Sequence, residues 1–147
     1  MQALVTHLGV AYPWQCDSMG HVMTRYYMTM FDDASLHFLR ELGFDFSHLA
    51  TKQIGWADVR HVIEYHRELQ HGTLITITSI LTRIGNSSLD YKHELRNSQT
   101  AQLHATMVAR TVQFDLQTRK AIPLFEHIRD QAQHWLQTEQ PPTTSRP

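Results

Sequence analysis

The residues best suited to chemistry stand together near the start of the chain, in the run "WQCDSMGHVMT" from Trp14 to Thr24. Asp17 supplies a carboxylate, Gly20 a backbone that tolerates tight turns and close approach, and Thr24 the start of a long run with helical apolar spacing. A helix N-terminus exposes unpaired N–H groups and carries about half a positive charge. It suits an anion, or an oxygen that becomes one during reaction. Asp17 can then attack a carbonyl carbon, or activate water to do so, while amides near Thr24 hold the carbonyl oxygen. That is the chemistry of acyl transfer to water. The competing assignment for Asp17 is a turn or cap residue, the usual role of aspartates in such loops.

Other reactive side chains fit less well. Cys16 beside His21 suggests a thiol nucleophile, but neighbours in an extended strand point apart, so Cys16 is expected to be buried and inert. The chain holds 11 histidines, densest in "HVIEYH". In a strand His61 and His66 face opposite sides, and neither HExxH nor paired cysteines occur. No metal and no redox cofactor is expected. Tyr27 lies on the helix stripe, which suits a pocket wall. The segment Gly55 to His61, "GWADVRH", is read as a loop before the second strand, with Trp56, Arg60 and His61 as candidate pocket residues. Its alternative is an ordinary loop. Arg83, Lys92 and Arg96 are strand charges suited to solubility rather than a site.

These groups need elements to position them. Thr24 to Leu42 reads as one helix: Tyr27, Met30, Phe31, Ala34, Phe38 and Leu42 recur at i, i+3, i+4, i+7, i+11 and i+15. Thr24 suits an N-cap and Gly43 the residue past the C-terminus. At 1.5 Å per residue this rod is roughly 28 Å long, enough to cross a sheet. Leu4 to Tyr12 reads as a first strand ended by Pro13. Val59 to Leu69, Leu74 to Arg83, Leu89 to Asn97 and Leu103 to Asp115 read as four strands. The turns "QHGT", "RIGNSS" and "NSQT" make them an antiparallel meander. In the third of them Leu89, Tyr91, His93 and Leu95 share one face. Pro123 opens a last helix with Leu124, Phe125, Ile128, Ala132, Trp135 and Leu136 on one side. The tail from 138 to 147 is Pro- and Thr-rich and expected to be disordered, which leaves 1–137 as a single domain. One long helix on one antiparallel sheet is an α+β architecture. Its uncovered strand edges favour a homodimer, or a tetramer of paired dimers.

Bulk properties narrow the function. At 147 residues, 41% apolar and 18% charged, the chain is a globular domain. A formal net charge of −1 without basic runs leaves no footprint for nucleic acid or an anionic membrane. The single cysteine, and an N-terminus without basic and apolar signal regions, point to the cytoplasm.

The run "WQCDSMGHVMTRYYMTMFDDA" followed by "LRELGFD" resembles the hotdog-fold thioesterases of the 4-hydroxybenzoyl-CoA thioesterase-like group. The similarity rests on Asp17, Gly20, His21-Val22, Tyr27 and the helix closing at Leu42-Gly43. It continues through "VIEYHRELQHGTLITITSILTRIGNSSLDYKHEL" and covers roughly Val5 to Asp115. The resemblance implies a central helix wrapped by a curved antiparallel sheet, in a dimer whose active sites lie between subunits. It implies Asp17 as the catalytic carboxylate and the Thr24 N–H as the group polarising a thioester carbonyl. Gly20, His21 and Tyr27 would line the substrate, and Trp56, Arg60 and His61 would border the partner subunit's site. Many relatives carry two asparagines where this chain has Met23-Thr24; the backbone contact does not need those side chains. The expected activity is acyl-CoA hydrolysis to a free acid and CoA. The alternatives are a hotdog-type hydratase or dehydratase, and an acyl-thioester-binding module without turnover.

Overall fold

The computed structural model describes residues 3–137, so the tail from 138 to 147 lies outside the described residues. The elements run β1 (Leu4–Val10), a 3-10 turn (Pro13–Gln15), α1 (Thr24–Glu41), α2 (Ser47–Thr51), β2 (Ile54–Tyr65), β3 (Leu74–Ile84), β4 (Ser88–Asn97), β5 (Leu103–Asp115), β6 (Lys120–Ala121) and α3 (Glu126–Gln137). The sheet is antiparallel, ordered β1-β3-β4-β5-β2, with β6 added to β5. Its concave face wraps α1, the hotdog arrangement. Among the described residues no helix is long and apolar enough to cross a membrane.

Apolar periodicity accounts for the core. Tyr27, Met30, Phe31, Ala34, Phe38 and Leu39 are buried along α1, and Leu89, Tyr91, His93 and Leu95 are fully buried along β4. Their neighbours on β4 face outward and pair with one another. Arg110 holds Asp90 by two hydrogen bonds of 2.7 Å, while Lys92 and Arg96 both reach Glu94 at 2.8 Å. Arg83 lies 3.9 Å from Asp90. These charges serve the outer surface.

α1 closes with a Schellman motif. The Phe44 N–H donates to Leu39 O at 3.1 Å and the Gly43 N–H to Arg40 O at 2.9 Å. Gly43 takes φ +94°, a conformation a side chain resists. The motif turns Phe44 back beneath Leu39, and His127 of α3 donates to the Gly43 carbonyl at 3.1 Å.

One polar chain crosses the core. Ser35 donates to the Phe31 carbonyl at 2.9 Å, so its oxygen accepts from His93 Nε2–H, also at 2.9 Å. Ser79 then donates to His93 Nδ1 at 2.6 Å and accepts from Thr6 at 2.7 Å. Thr6 reaches it because β1 bulges between Val5 and His7. Every member is satisfied, which is what makes such burial tolerable.

Several boundaries differ from the sequence reading. β1 ends at Val10, two residues short of Tyr12, because residues 11–15 leave the sheet for the 3-10 turn. β2 starts at Ile54 and ends at Tyr65, so "GWADVRH" is strand rather than loop, and His66 lies outside it. β2 pairs with β5, not with β3, so the four strands are not a simple meander. Pro123 stands ahead of α3, which begins at Glu126. α2 and β6 are too short to show a period.

Candidate active site

The segment between the 3-10 turn and α1 folds back on itself. Cys16 bridges Val22, the Asp17 N–H donates to His21 O at 2.8 Å, and the Gly20 N–H donates to Asp17 O at 3.0 Å. Gly20 makes this turn with φ +80°, which a residue without Cβ adopts freely. The Asp17 side chain completes it: Oδ1 accepts from the Met19 N–H at 2.9 Å and the His21 N–H at 3.2 Å. Oδ2 has no hydrogen-bond partner among the described residues. The turn assignment for Asp17 therefore holds for one of its two oxygens. Cys16 gives its S–H to Tyr12 O at 3.6 Å, a resting thiol rather than one paired with His21.

The turn is tied down on both sides. His21 bridges Gln70, the Val22 N–H donates to Leu69 O at 2.8 Å, and the Met23 N–H to Gln15 O at 2.9 Å. α1 then begins, with Met23 rather than Thr24 in the N-cap position. Met23 has the extended backbone of a cap (φ −65°, ψ 145°) but no cap hydrogen bond from its side chain. Thr24 is the first helical residue; the Tyr26 N–H turns back to Met23 O at 3.0 Å, and no side-chain oxygen caps the amides ahead of it.

A groove of about 300 Å³ opens at this end, between Val22, Thr24 and Tyr27 on one side and Tyr65 to Glu68 on the other. The Tyr27 ring meets Tyr65 edge to face at 5.1 Å, and burial pushes its hydroxyl up to about 12. It stays a proton donor at any ordinary pH. Asp17 shares the turn with this groove but does not line it within one chain.

The other expected site residues lie elsewhere. Trp56 walls a second cavity of about 360 Å³, under the C-terminal half of α1 and against the start of β2. Asp32, Ser35, Phe44, Phe46, Asp58 and Tyr91 also line it. Arg60 is exposed on β2, and His61 Nε2 sits 3.8 Å from Asp58 Oδ2. The β2 bulge between Asp58 and Arg60 explains this pairing: it shifts the alternation by one, so Trp56 and Asp58 before it share the α1 side with His61 and Tyr65 after it. Within one chain Asp17, Gly20 and His21 share the turn and Thr24 and Tyr27 line the groove that follows it, while Trp56 lies at the second cavity and Arg60 and His61 farther along β2. Tyr65, His66, Arg67 and Glu68 escaped the sequence reading because nothing local shows that β2 runs antiparallel to α1 and ends at its start. Among the described residues no cluster of His, Cys, Asp and Glu is placed to hold a metal ion.

Comparison with known proteins agrees with this architecture. The family model described as the thioesterase-like superfamily matches residues 12–132. A Staphylococcus aureus protein solved in complex with CoA superposes with a TM-score of 0.86 at 18% identity, covering 100% of this chain and 92% of that one. A 1,4-dihydroxy-2-naphthoyl-CoA thioesterase from Synechocystis gives 0.78 at 17% identity, over 95% of this chain and 100% of that one. A DHNA-CoA thioesterase from Staphylococcus aureus gives 0.80 at 19%, over 93% and 92%. Likeness at these identities establishes the fold. No curated protein matches the chain.

Proposed function

The chain belongs to the thioesterase-like superfamily, and from that premise we propose that it hydrolyses acyl-CoA thioesters to a free acid and CoA. Asp17 acts as general base or nucleophile at the thioester carbonyl. The Thr24 amide and the positive end of α1 take the charge that grows on the carbonyl oxygen. Water adds across the C–S bond, and the thiol leaves with a proton. Gly20 lets substrate approach the turn, and His21 and Tyr27 border it. No cofactor takes part.

The supporting observation is the division of labour within one carboxylate. Asp17 Oδ1 is fixed by two amides, Oδ2 is unpartnered among the described residues, and a helix N-terminus without a side-chain cap follows at Thr24, seven residues later. Trp56, Arg60 and His61 join such a site only across a two-fold interface, so the working unit in this proposal is a homodimer in the cytoplasm. The rival with a specific observation behind it is a thioester-binding module, since Asp17 does not line the groove of its own chain. A hydratase has less support: the histidine packed against α1, His93, is fully enclosed and held neutral.

Asparagine separates the two roles of Asp17, because its Oδ1 can accept the same two amide hydrogen bonds while the charge is lost. Asp17→Asn is expected to keep the melting temperature and lose ~10²-fold or more in thiol release from an acyl-CoA panel. Asp17→Ala should lose both. Wild-type turnover in Asp17→Asn would remove the mechanism, and tight acyl-CoA binding without thiol release in the native protein would favour the binding module.

A further inference from the structure

The second cavity, of about 360 Å³, holds two hydrogen-bond donors that the fold leaves unanswered. Its walls are apolar and largely aromatic: Phe44 meets Phe46 edge to face at 5.1 Å and Trp56 at 5.6 Å, with Leu36 and Leu39 of α1 alongside. Tyr91 lines it from β4, 0% exposed, yet its Oη has no hydrogen-bond partner. Burial pushes the Tyr91 pKa up, so the hydroxyl stays a proton donor. Ser35 stands beside it, but gives its own proton to Phe31 O and accepts from His93. The Trp56 indole N–H is likewise buried without an acceptor. A buried donor left unpaired costs stability, so each such group calls for a reason. Apolar walls with a few aimed polar groups are the usual make-up of a small-molecule site.

Each class of occupant can be judged against these two donors. A plain alkyl chain suits the walls and leaves both donors unpaired. A cation offers them no lone pair. An anion has lone pairs but must pass Asp32 and Asp58, the two carboxylates that line the same cavity. Burial and the nearby Asp58 charge already hold the Asp32 carboxyl above its ordinary range, so further negative charge is unwelcome there. An alcohol accepts, but adds a proton that needs an acceptor of its own. A neutral carbonyl oxygen brings two lone pairs and no proton.

We propose that this cavity binds an uncharged ketone, its oxygen accepting from Tyr91 Oη–H and Trp56 Nε1–H and its carbon skeleton lying against Phe44, Phe46 and Leu39. Two sources supply that chemistry: a free carbonyl compound, or a ketone near the far end of the acyl group of a thioester substrate. The second source rests on the hydrolase and the homodimer proposed above, since Trp56 joins Asp17 only across the two-fold.

The test compares ligands of one shape that differ in their oxygen. Titration calorimetry on the intact protein would use acetophenone, its methylene isostere 2-phenylpropene, and the anion benzoate. Acetophenone is expected to bind about tenfold tighter than either, the worth of one hydrogen bond to a donor otherwise unpaired. Tyr91→Phe should bring acetophenone and 2-phenylpropene close to equal affinity. It should also melt no lower than the native protein, because it removes a hydroxyl without a partner. Trp56→Phe should narrow the gap between the two ligands as well. Equal affinity for ketone and isostere in the native protein, binding of neither, tighter binding of benzoate, or a gap unchanged in either variant overturns the proposal. A clearly lower melting temperature for Tyr91→Phe overturns it too, since the hydroxyl would then serve the fold. A second arm compares kcat/KM for acyl-CoAs carrying a ketone near the chain end with their methylene isosteres. A preference for the ketone that Tyr91→Phe removes assigns the cavity to the acyl group; a ratio near one, with acetophenone binding intact, assigns it to a free carbonyl compound. Acetophenone discrimination without any thiol release counts against the hydrolase alone, and thiol release without that discrimination counts against the ketone site alone.

Discussion

His93 donates through Nε2 to Ser35 and accepts through Nδ1 from Ser79, a pattern that only the neutral ring satisfies. Burial holds its pKa down to about 3, from an ordinary 6.5. Between those values the unfolded chain binds a proton that the native chain does not, so stability falls as pH drops through that window. Asp90 titrates elsewhere: its hydrogen bonds to Arg110 keep its carboxyl below the usual range, so its share is lost only at lower pH. The urea midpoint should therefore decline from pH 7 to pH 4.5, and His93→Gln, which retains one donor and one acceptor, should show a flatter decline. An identical slope in both proteins would mean that other groups control it. At this scale β4 was legible, because Leu89, Tyr91, His93 and Leu95 alternate with charges. That His93 would be partnered rather than orphaned was not, since Thr6 and Ser79 come from other strands.

α1 is treated differently at its two ends. Its C-terminus is closed by Gly43, His127 and the Schellman bonds, whereas its N-terminus is left open by Met23. An open end costs stability, since a capping side chain there contributes about 1 kcal/mol. Met23→Asp should raise the unfolding free energy by about that amount and lower thiol release, because the new carboxylate offsets the positive helix end that the proposal assigns to the carbonyl oxygen. Denaturant unfolding and a thioester assay on one preparation check both halves; a more stable protein with undiminished turnover would refute the role given to the helix end. The stripe of α1 and the turn at Gly43 could be read from spacing and residue type. The N-cap could not, because threonine is a favoured cap and only the backbone angles show that the helix takes Thr24 as its first residue. The extent of β2 was hidden by its bulge, which breaks the period on which strand reading depends.

For the whole molecule, the sheet leaves β1 and β2 as its edges. Val59 and Val62 are exposed on β2, and Val5 and Leu8 on β1, apolar side chains on strands that have room for another. The proposed pairing predicts a mass near twice 17.1 kDa by light scattering, and a stable monomer would leave Trp56, Arg60 and His61 without a route to Asp17. The α+β class was legible from one long stripe followed by strands. The strand order was not, because hairpin turns argue for sequential neighbours and the pairing of β2 with β5 is a long-range contact that no turn announces.

That placement also sets an order of events in time. Ile54–Tyr65 leaves the ribosome well before its partner Leu103–Asp115, and β1 must likewise wait for β3. Until Asp115 has emerged, the nascent chain can lay α1 on β1, β3 and β4, but it holds β2 as a strand with no ladder on either side. Contacts so distant along the chain are slow to close. A premature stop within β5 would therefore yield an adhesive fragment rather than a smaller version of the fold.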